Sequence, residues 1–502
     1  MTIYNINLGI GWASSGVEYA QAYRAGLLRR LKEPAKFIFT DLILADNIQH
    51  LTQNIGFEDE EVIWLYNHFT DVKLAPTSYR LDKVLSSIEG QYETKEEQGK
   101  IVRYFYPQQD FFITCYLKEE GKDLVEQVDY VSQGRLIRKD YFSYVRYASE
   151  YFAPKDNQAQ VYQRRFYHED GRLAYEVLVD QGEEQIFRFP DRIFYSKPEF
   201  IRYFLQDLNW TPSDLVLLDR ETGLGQVVFE EAQEAKLGVV IHAEHFSPNA
   251  SNQDYILWNN YYDYQFTHAD QVDFFIVATQ GQKELLEEQF AHYYGKKPQV
   301  YRIPVGSLDA LQPSQERQPF SMITASRLAS EKHLDWLVKA TIEAQKTLPD
   351  LTLDIYGSGG EEAKLKQLIE KGQAGSFIHL RGHADLTQIY ARYQLYLTAS
   401  TSEGFGLTLM EAIGSGLPLI GFDVRYGNQS FILDRENGYL LESSSDHIEE
   451  QIVSAFAQKI TEFFQENQAS SMSEKSYDLA QNYLTSRVQE LWANLIKEVL
   501  DA

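Results

Sequence analysis

The stretch Glu403-Gly-Phe-Gly-Leu-Thr-Leu-Met-Glu411 decides how this chain is read. An apolar strand pattern, Tyr396–Thr398, precedes it and a helical pattern continues from it. Two carboxylates therefore flank a Gly-Phe-Gly turn where a strand hands over to a helix. Glycine lets backbone approach a ligand closely, and a new helix offers unpaired N–H groups and a positive dipole end. Glu403 is placed at the turn, aimed into a cleft. Glu411, about two turns along by helix geometry, reaches a different part of the same ligand. Taken singly, Glu403 reads equally as a capping acid and Glu411 as a solvated helix residue. With Gly404, Gly406 and Ala412 fixed around them, the binding reading takes precedence.

Working outward, the surrounding region repeats strand and helix. Strands are expected at Met322–Ala325, Leu351–Tyr356, Ile378–Leu380, Tyr396–Thr398 and Leu417–Gly421, each separated by a helical stretch, and together they make an α/β domain over 306–480. Arg327 and Lys332 follow its first strand and can converge as two cations for a diphosphate, although such a pair alone is usually solvated surface. Gly357-Ser-Gly359-Gly360 makes either a tight turn or a backbone contribution to nucleotide binding. The turn Arg381-Gly382-His383-Ala384 could present backbone groups to a base. A final helix, Met472–Val499, has room to pack back across the first domain, and its end, 481–502, is expected to do so.

The chain opens in the same style. Strand Ile3–Leu8, the turn Gly9-Ile-Gly-Trp-Ala-Ser-Ser-Gly16, a helix from Val17 and strand Phe37–Phe39 begin a doubly wound domain. The glycine spacing does not fit G-x-G-x-x-G, so a dinucleotide reading is poor. The pattern resumes after Ser196, with strands Leu215–Leu218, Leu237–His242 and Phe274–Ala278. The first domain is thus 1–75 plus 196–305. His242-Ala-Glu244-His245 lacks the H-E-x-x-H metal spacing. His242, at the carboxyl end of a strand, suits a sugar hydroxyl and equally a satisfied structural histidine.

Between these parts, 76–195 changes to period-two alternation. Strands Ile101–Tyr106, Phe111–Leu117, Tyr141–Tyr147, Val161–Tyr167, Leu173–Val179 and Ile186–Phe189 are punctuated by Glu120-Gly121, Gln133-Gly134, Asp170-Gly171 and Gln181-Gly182. An inserted antiparallel β-meander results. Twelve of the 34 tyrosines fall in 100–195, serving either strand propensity or partner and acceptor recognition.

Composition narrows the function classes. A formal charge of −26 over 502 residues argues against broad binding of nucleic acid or anionic lipid. The single cysteine, Cys115, forbids an internal disulfide and fits a reducing compartment. The opening residues do not read as a signal peptide, and no apolar run approaches the ~20 residues that span a bilayer. Asp-x-Asp, which holds a divalent cation in other nucleotide-sugar enzymes, does not occur. Leaving-group charge then falls to cations and helix ends, with no metal and no cofactor expected.

The second domain resembles the donor half of retaining glycosyltransferases with the GT-B fold, family GT4: S-R-L-x-x-E-K, D-I-Y-G-x-G, R-G-H and E-G-F-G-L-x-L-M-E-A. With the opening Gly-Ile-Gly-Trp-Ala-Ser-Ser-Gly-Val-Glu-Tyr-Ala-Gln and the tyrosine-rich insertion, the chain is similar to the GtfA subunits of bacterial protein O-GlcNAc transferases. The resemblance implies two Rossmann-like domains facing across a cleft. It implies a UDP-GlcNAc donor, Ser/Thr acceptors in a serine-rich repeat adhesin awaiting accessory Sec export, and a homologous GtfB-type partner. A cytoplasmic place, peripheral on the inner face of the cell membrane, goes with it. Carried over by position, Arg327 and Lys332 would hold the diphosphate and Glu411 the ribose. Glu403 and the backbone of Gly404, Phe405, Gly406 and Leu407 would hold the sugar, with His242 touching it from the first domain. Gly16, with Val17, Glu18 and Tyr19, would approach the diphosphate, and the Gly382–His383–Ala384 backbone the uracil. The family retains anomeric configuration. No residue here is an obvious nucleophile, so front-face substitution is implied. Competing readings are a retaining glucosyltransferase acting on teichoic acid, a non-catalytic partner subunit on the same fold, and a tyrosine-rich peptide binder.

Overall fold

The computed structural model describes residues 1–11, 15–313, 316–442, 448–466 and 468–501. Part of the first glycine turn (12–14) and the serine run at 443–445 lie outside the described residues. The chain divides into two compact units, Met1–Gly238 and Val239–Ala502.

In the first unit a parallel sheet runs in the order Leu215–Leu218, Ile3–Asn7, Ala35–Phe39, Val62–Trp64. Its strands are short and nearly all apolar, as expected of a parallel sheet covered on both faces. Helix Gly16–Leu31 starts where Ser15 caps it: Ser15 Oγ accepts from Val17 N, and the Glu18 carboxylate accepts from Ser15 N at 2.6 Å. That reciprocal pair satisfies two orphan donors of the first turn. Beneath the helix, buried Arg24 makes a two-pronged ion pair with buried Asp219 at 2.8 and 2.9 Å, and Gln21 donates to the same carboxylate.

The insertion is a ten-stranded antiparallel sheet in which strand order in space follows order in sequence, from Thr94–Gln98 to Ile193–Phe194. Adjacent strands need only short turns, so the alternating pattern was readable. Three departures have local causes. The run Tyr141–Tyr147 is not one strand: Arg135–Phe142 and Arg146–Lys155 flank a tight corner closed by Ser143 N to Val145 O at 2.9 Å. There the Ser143 carbonyl accepts from Ser78 N and Tyr79 N, so it leaves the ladder. The two-residue turn Asp156–Asn157 carries no glycine, yet both residues take positive φ (49° and 63°), the twist a hairpin requires. Strands Thr94–Gln98 and Val125–Ser132 were not foreseen, the former because it is polar and fully exposed.

The tyrosines of the insertion mostly serve its core. Tyr104, Tyr106 and Tyr130 are buried around Cys115, whose thiol burial pushes up to about 12. Others carry a buried polar chain: Tyr141 Oη donates to Glu150 at 2.7 Å, Arg164 bridges Glu150 and Glu184, and Glu184 accepts from Tyr66. Tyr175 Oη closes the link by donating to the Tyr66 carbonyl at 2.7 Å. Because Tyr66 follows strand Val62–Trp64 of the parallel sheet, this network joins the meander to the α/β part of its own unit.

In the second unit, strands Val300–Arg302 and Phe274–Val277 pair in parallel. A separate six-stranded parallel sheet runs Ile378–Gly382, Thr352–Tyr356, Ser321–Ala325, Leu395–Leu397, Leu419–Phe422, Gly438–Leu441. The sixth strand, Gly438–Leu441, was not among those expected. The chain starts in the middle of the sheet, builds outward to one side and then returns to build the other. The two middle strands, Ser321–Ala325 and Leu395–Leu397, therefore define the topological switch point, outside whose carboxyl ends ligands bind in such sheets.

The expected single helix Met472–Val499 is two helices, Ala469–Ala480 and Thr485–Asp501. Between them the backbone is recruited elsewhere: Leu308 N donates to Tyr483 O and Thr485 N to Leu308 O, both at 2.8 Å. Leu484 is extended to make that bridge, and the helical ladder cannot run through it. The last helix buries Trp492, Leu495 and Val499, and Glu498 hydrogen-bonds Tyr301 of strand Val300–Arg302.

Replacing Asp219 by Ala leaves Arg24 buried without its counter-ion, at an expected cost of about 3–5 kcal/mol. Denaturant unfolding of the variant measures this, and Asp219→Asn should lose less.

Candidate active site

Both strands of the switch point in the second unit end in chemistry. After Ser321–Ala325 the chain passes Arg327 and makes a short 3-10 turn, Ser330–Lys332, before helix Leu334–Gln345. After Leu395–Leu397 it passes Glu403 and enters helix Leu407–Gly414. The two loops meet at one ion pair: Lys332 Nζ donates to Glu403 Oε2 at 2.8 Å, with side-chain exposures of 16% and 21%. An ammonium has further N–H donors for a ligand oxygen once one is used on Glu403. Arg327, which the sequence placed beside Lys332, instead pairs with Glu331 at 3.0 Å and is mostly exposed. Glu411 stands about one turn into its helix rather than two, because that helix begins at Leu407; its Oε2 accepts from Tyr390 Oη at 3.0 Å.

Gly406 of the motif is set by its own backbone, at φ 89°, and Gly404 by a neighbouring one. A Cβ on Gly404 would lie 2.4 Å from the His242 carbonyl oxygen, so only glycine lets the Glu403 turn close on the loop that follows strand Lys236–Ile241. Gly357 has the same office one loop over: a Cβ there would lie 1.9 Å from the Ser326 carbonyl, and its φ is 133°. The Gly357–Gly360 segment is thereby laced to the Arg327 loop, with Leu328 N donating to Ser358 O at 2.9 Å. Phe405 is a core side chain against Phe431 and Tyr483, so what it can offer a ligand is backbone.

The His242 loop is pinned from several sides. Tyr262 Oη accepts from His242 N at 3.0 Å and from Ala243 N at 3.1 Å, and Gln282 donates to Ala243 O at 2.8 Å. His245 is fully buried, its Nε2 2.7 Å from Gln289 Oε1; burial holds its pKa down at about 4, so the ring is neutral. Glu244 and Tyr426, to which the sequence reading gave no role, meet here: Tyr426 Oη donates to Glu244 Oε1 at 2.5 Å. Nothing local marks Tyr426; its partner is far away in sequence.

Gly382, His383 and Ala384 follow strand Ile378–Gly382, whose end is braced by Asp354. That carboxylate accepts from Tyr393 Oη at 2.5 Å and lies 2.9 Å from His379 Nδ1 and 3.1 Å from Arg381 Nε. The remaining expected ligands, Gly16, Val17, Glu18 and Tyr19, belong to the first unit. Glu18 is buried and occupied there by Ser15 N, Asn7 Nδ2 and Arg220, which makes it a cap and a brace. Among the described residues, the grouping that could offer three ligands to a cation, Asp46, His50 and Glu126, also lies in the first unit.

Against this geometry the likenesses to known proteins are specific. Residues 94–191 match the GtfA extended beta-sheet domain, and residues 311–478 match Glycosyl transferases group 1. The UDP-N-acetylglucosamine--peptide N-acetylglucosaminyltransferase GtfA subunit of Streptococcus gordonii is 69% identical over 502 residues, covering 100% of this chain and 99% of its own. The chain belongs to the GtfA glycosyltransferase family. Among solved GtfA structures, that of the pneumococcal O-GlcNAc transferase GtfA in complex with UDP and GlcNAc superposes with a TM-score of 0.97 at 64% identity, covering 100% of this chain and 99% of that one. The structure of TarM, 20% identical with a TM-score of 0.79 over 99% of this chain and 98% of that one, shares the GT-B fold.

His245 sets a pH dependence of stability. Its folded pKa of about 4 lies below the unfolded value of 6.5, so the folded state resists the proton that the unfolded state accepts. Stability from this group is present above pH 6.5 and is lost as pH falls toward 4, by about 2 kcal/mol between pH 7.5 and 5. Urea unfolding at those two pH values should show that His245→Gln removes a difference of this size; an unchanged pH slope would mean that the imidazole is solvated.

Proposed function

We propose that this protein transfers N-acetylglucosamine from UDP-GlcNAc to Ser/Thr hydroxyls of a polypeptide, retaining anomeric configuration and needing no metal. The observation that carries this reading is the Lys332–Glu403 pair at the switch point of the six-stranded sheet. Lys332, joined by Arg327, would hold the diphosphate, while Glu411 would take the ribose and the Gly382–Ala384 backbone the uracil. Glu403, its charge already matched by Lys332, is suited to accept hydrogen bonds from sugar hydroxyls. Attack by the acceptor hydroxyl on the anomeric carbon forms the new C–O bond on the face from which UDP leaves. The bond to the diphosphate breaks, and a diphosphate oxygen takes the hydroxyl proton. The names of full-length relatives support the donor and the peptide acceptor.

A serine-rich repeat adhesin, modified before export by an accessory Sec route, is the acceptor this reading takes. A GtfB-type subunit is the proposed partner, supported by a solved GtfA/B complex whose matching chain is 68% identical to this one with a TM-score of 0.93. No described helix is long and apolar enough to cross a membrane. The place proposed is the cytoplasm, with attachment to the inner face of the cell membrane through the complex.

With UDP-GlcNAc, a Ser/Thr-rich peptide and the GtfB-type partner, mass spectrometry should detect +HexNAc on the peptide. Lys332→Ala and Glu403→Gln, folded by circular dichroism, should each lower kcat/KM by about 100-fold or more. Full activity in either variant, or transfer of glucose to poly(glycerol phosphate) in place of GlcNAc to peptide, would overturn the reading.

A further inference from the structure

Tyr426 combines three unusual features. Its backbone has φ 73° and ψ −70°, a conformation that bulky residues almost never hold and that persists only where the surroundings enforce it. It is buried, and its phenol reaches two residues of the His242 loop: Oη donates to Glu244 Oε1 at 2.5 Å and lies 3.2 Å from His245 Nδ1. Its own ring stacks on the His245 ring, with centroids 5.9 Å apart and planes at 28°.

The backbone of the same residue faces the other way, toward the donor motif. Tyr426 forms an isolated parallel bridge with Glu403, and the next amide, Gly427 N, donates to the Glu403 carbonyl at 2.8 Å. One strained residue therefore grips Glu403 through its main chain and the loop just past His242 through its side chain. Relaxing φ to an ordinary value would turn the phenol away from Glu244 or pull the amide from Glu403. His245 packs against the arrangement, with Nδ1 3.2 Å from the phenol oxygen and Nε2 2.7 Å from Gln289 Oε1. Arg425 Nε lies 3.8 Å from Glu244 Oε2 and holds that carboxylate from its second oxygen.

We infer that Tyr426 is a positioning residue for sugar transfer. Its clasp on Glu244 fixes the Glu403 turn against His242, so that a sugar held by the first is presented in register with the second. The inference rests on the donor-site reading proposed above. It separates two tasks: of the groups proposed at the nucleotide end, Arg327 is held by Glu331, Glu411 by Tyr390, and Lys332 stands one ion pair away from the clasp through the Glu403 side chain, whereas the sugar end rests on the Glu403 turn itself. Loss of the clasp should then slow turnover with little effect on donor affinity.

The test is a double-mutant cycle on the full chain with its partner, using Tyr426→Phe, Glu244→Gln and the pair, read as kcat and KM for UDP-GlcNAc in peptide transfer and as melting temperature. Tyr426→Phe should lower kcat roughly 30-fold, the scale of a small misplacement of reacting groups, with KM changed by less than about threefold. Glu244→Gln reads the same clasp from the other side, and the double variant should be no slower than the slower single variant. Wild-type kcat in folded Tyr426→Phe or in folded Glu244→Gln would overturn the inference, as would multiplicative losses in the double variant or a loss carried wholly by KM. A wild-type protein that transfers no GlcNAc from UDP-GlcNAc would instead overturn the donor-site reading itself.

Discussion

The second unit is organised around a contact that admits no side chain. Where Gly404 lies against the His242 carbonyl, a single Cβ would sit 2.4 Å from the oxygen, well inside van der Waals contact. That approach fixes where the Glu403 turn can be, and through it the Lys332–Glu403 pair and the first residues of helix Leu407–Gly414. Two neighbouring features are built as tightly: Gly357 lets its loop lie on Ser326, and Tyr426 holds a strained backbone while reaching both sides. A close backbone approach is a stiff constraint because interiors are packed like organic crystals, and displacing backbone costs more than rotating a side chain.

Charge is handled differently in the two units. The first unit spends its buried charges on structure: Arg24 on Asp219, Arg164 on Glu150 and Glu184, and Glu18 on a helix start. Each is satisfied by several hydrogen bonds, the condition under which a buried charge is tolerated. The second unit keeps Lys332 and Glu403 paired but sheltered only in part, at the carboxyl ends of the two middle strands of its sheet. An acidic chain can in this way present a local cation to an anionic ligand without any basic patch.

How much of this was legible in the sequence depends on distance along the chain. Strand–turn–helix junctions and hairpins are local, so the Glu403–Glu411 motif, most strands of both parallel sheets and the meander could be read from periodicity and turn residues. The corner at Ser143 and the break at Leu484 were misread because both arise where a backbone group bonds outside its own element. Tyr426, Glu244 and the pairing of Arg327 with Glu331 were out of reach for a related reason. A tyrosine after Arg425 has no pattern of its own, and its importance exists only once residues 244 and 426 are brought within 2.5 Å. The tyrosine-rich insertion illustrates the converse: composition flagged it correctly as unusual, but burial assigns most of its rings to packing and to hydrogen bonds with acids.

The most direct measurement is donor affinity and transfer rate in Gly404→Ala. If the Gly404–His242 contact sets the site, one methyl group displaces the Glu403 turn by a fraction of an ångström or more. Peptide transfer from UDP-GlcNAc should then fall by about two orders of magnitude in a protein whose circular dichroism is that of the wild type and whose melting temperature is lowered by the overpacking, a cost of about 1–3 kcal/mol. A folded Gly404→Ala protein with wild-type transfer would contradict the account, because the donor turn would then be positioned by something other than this contact.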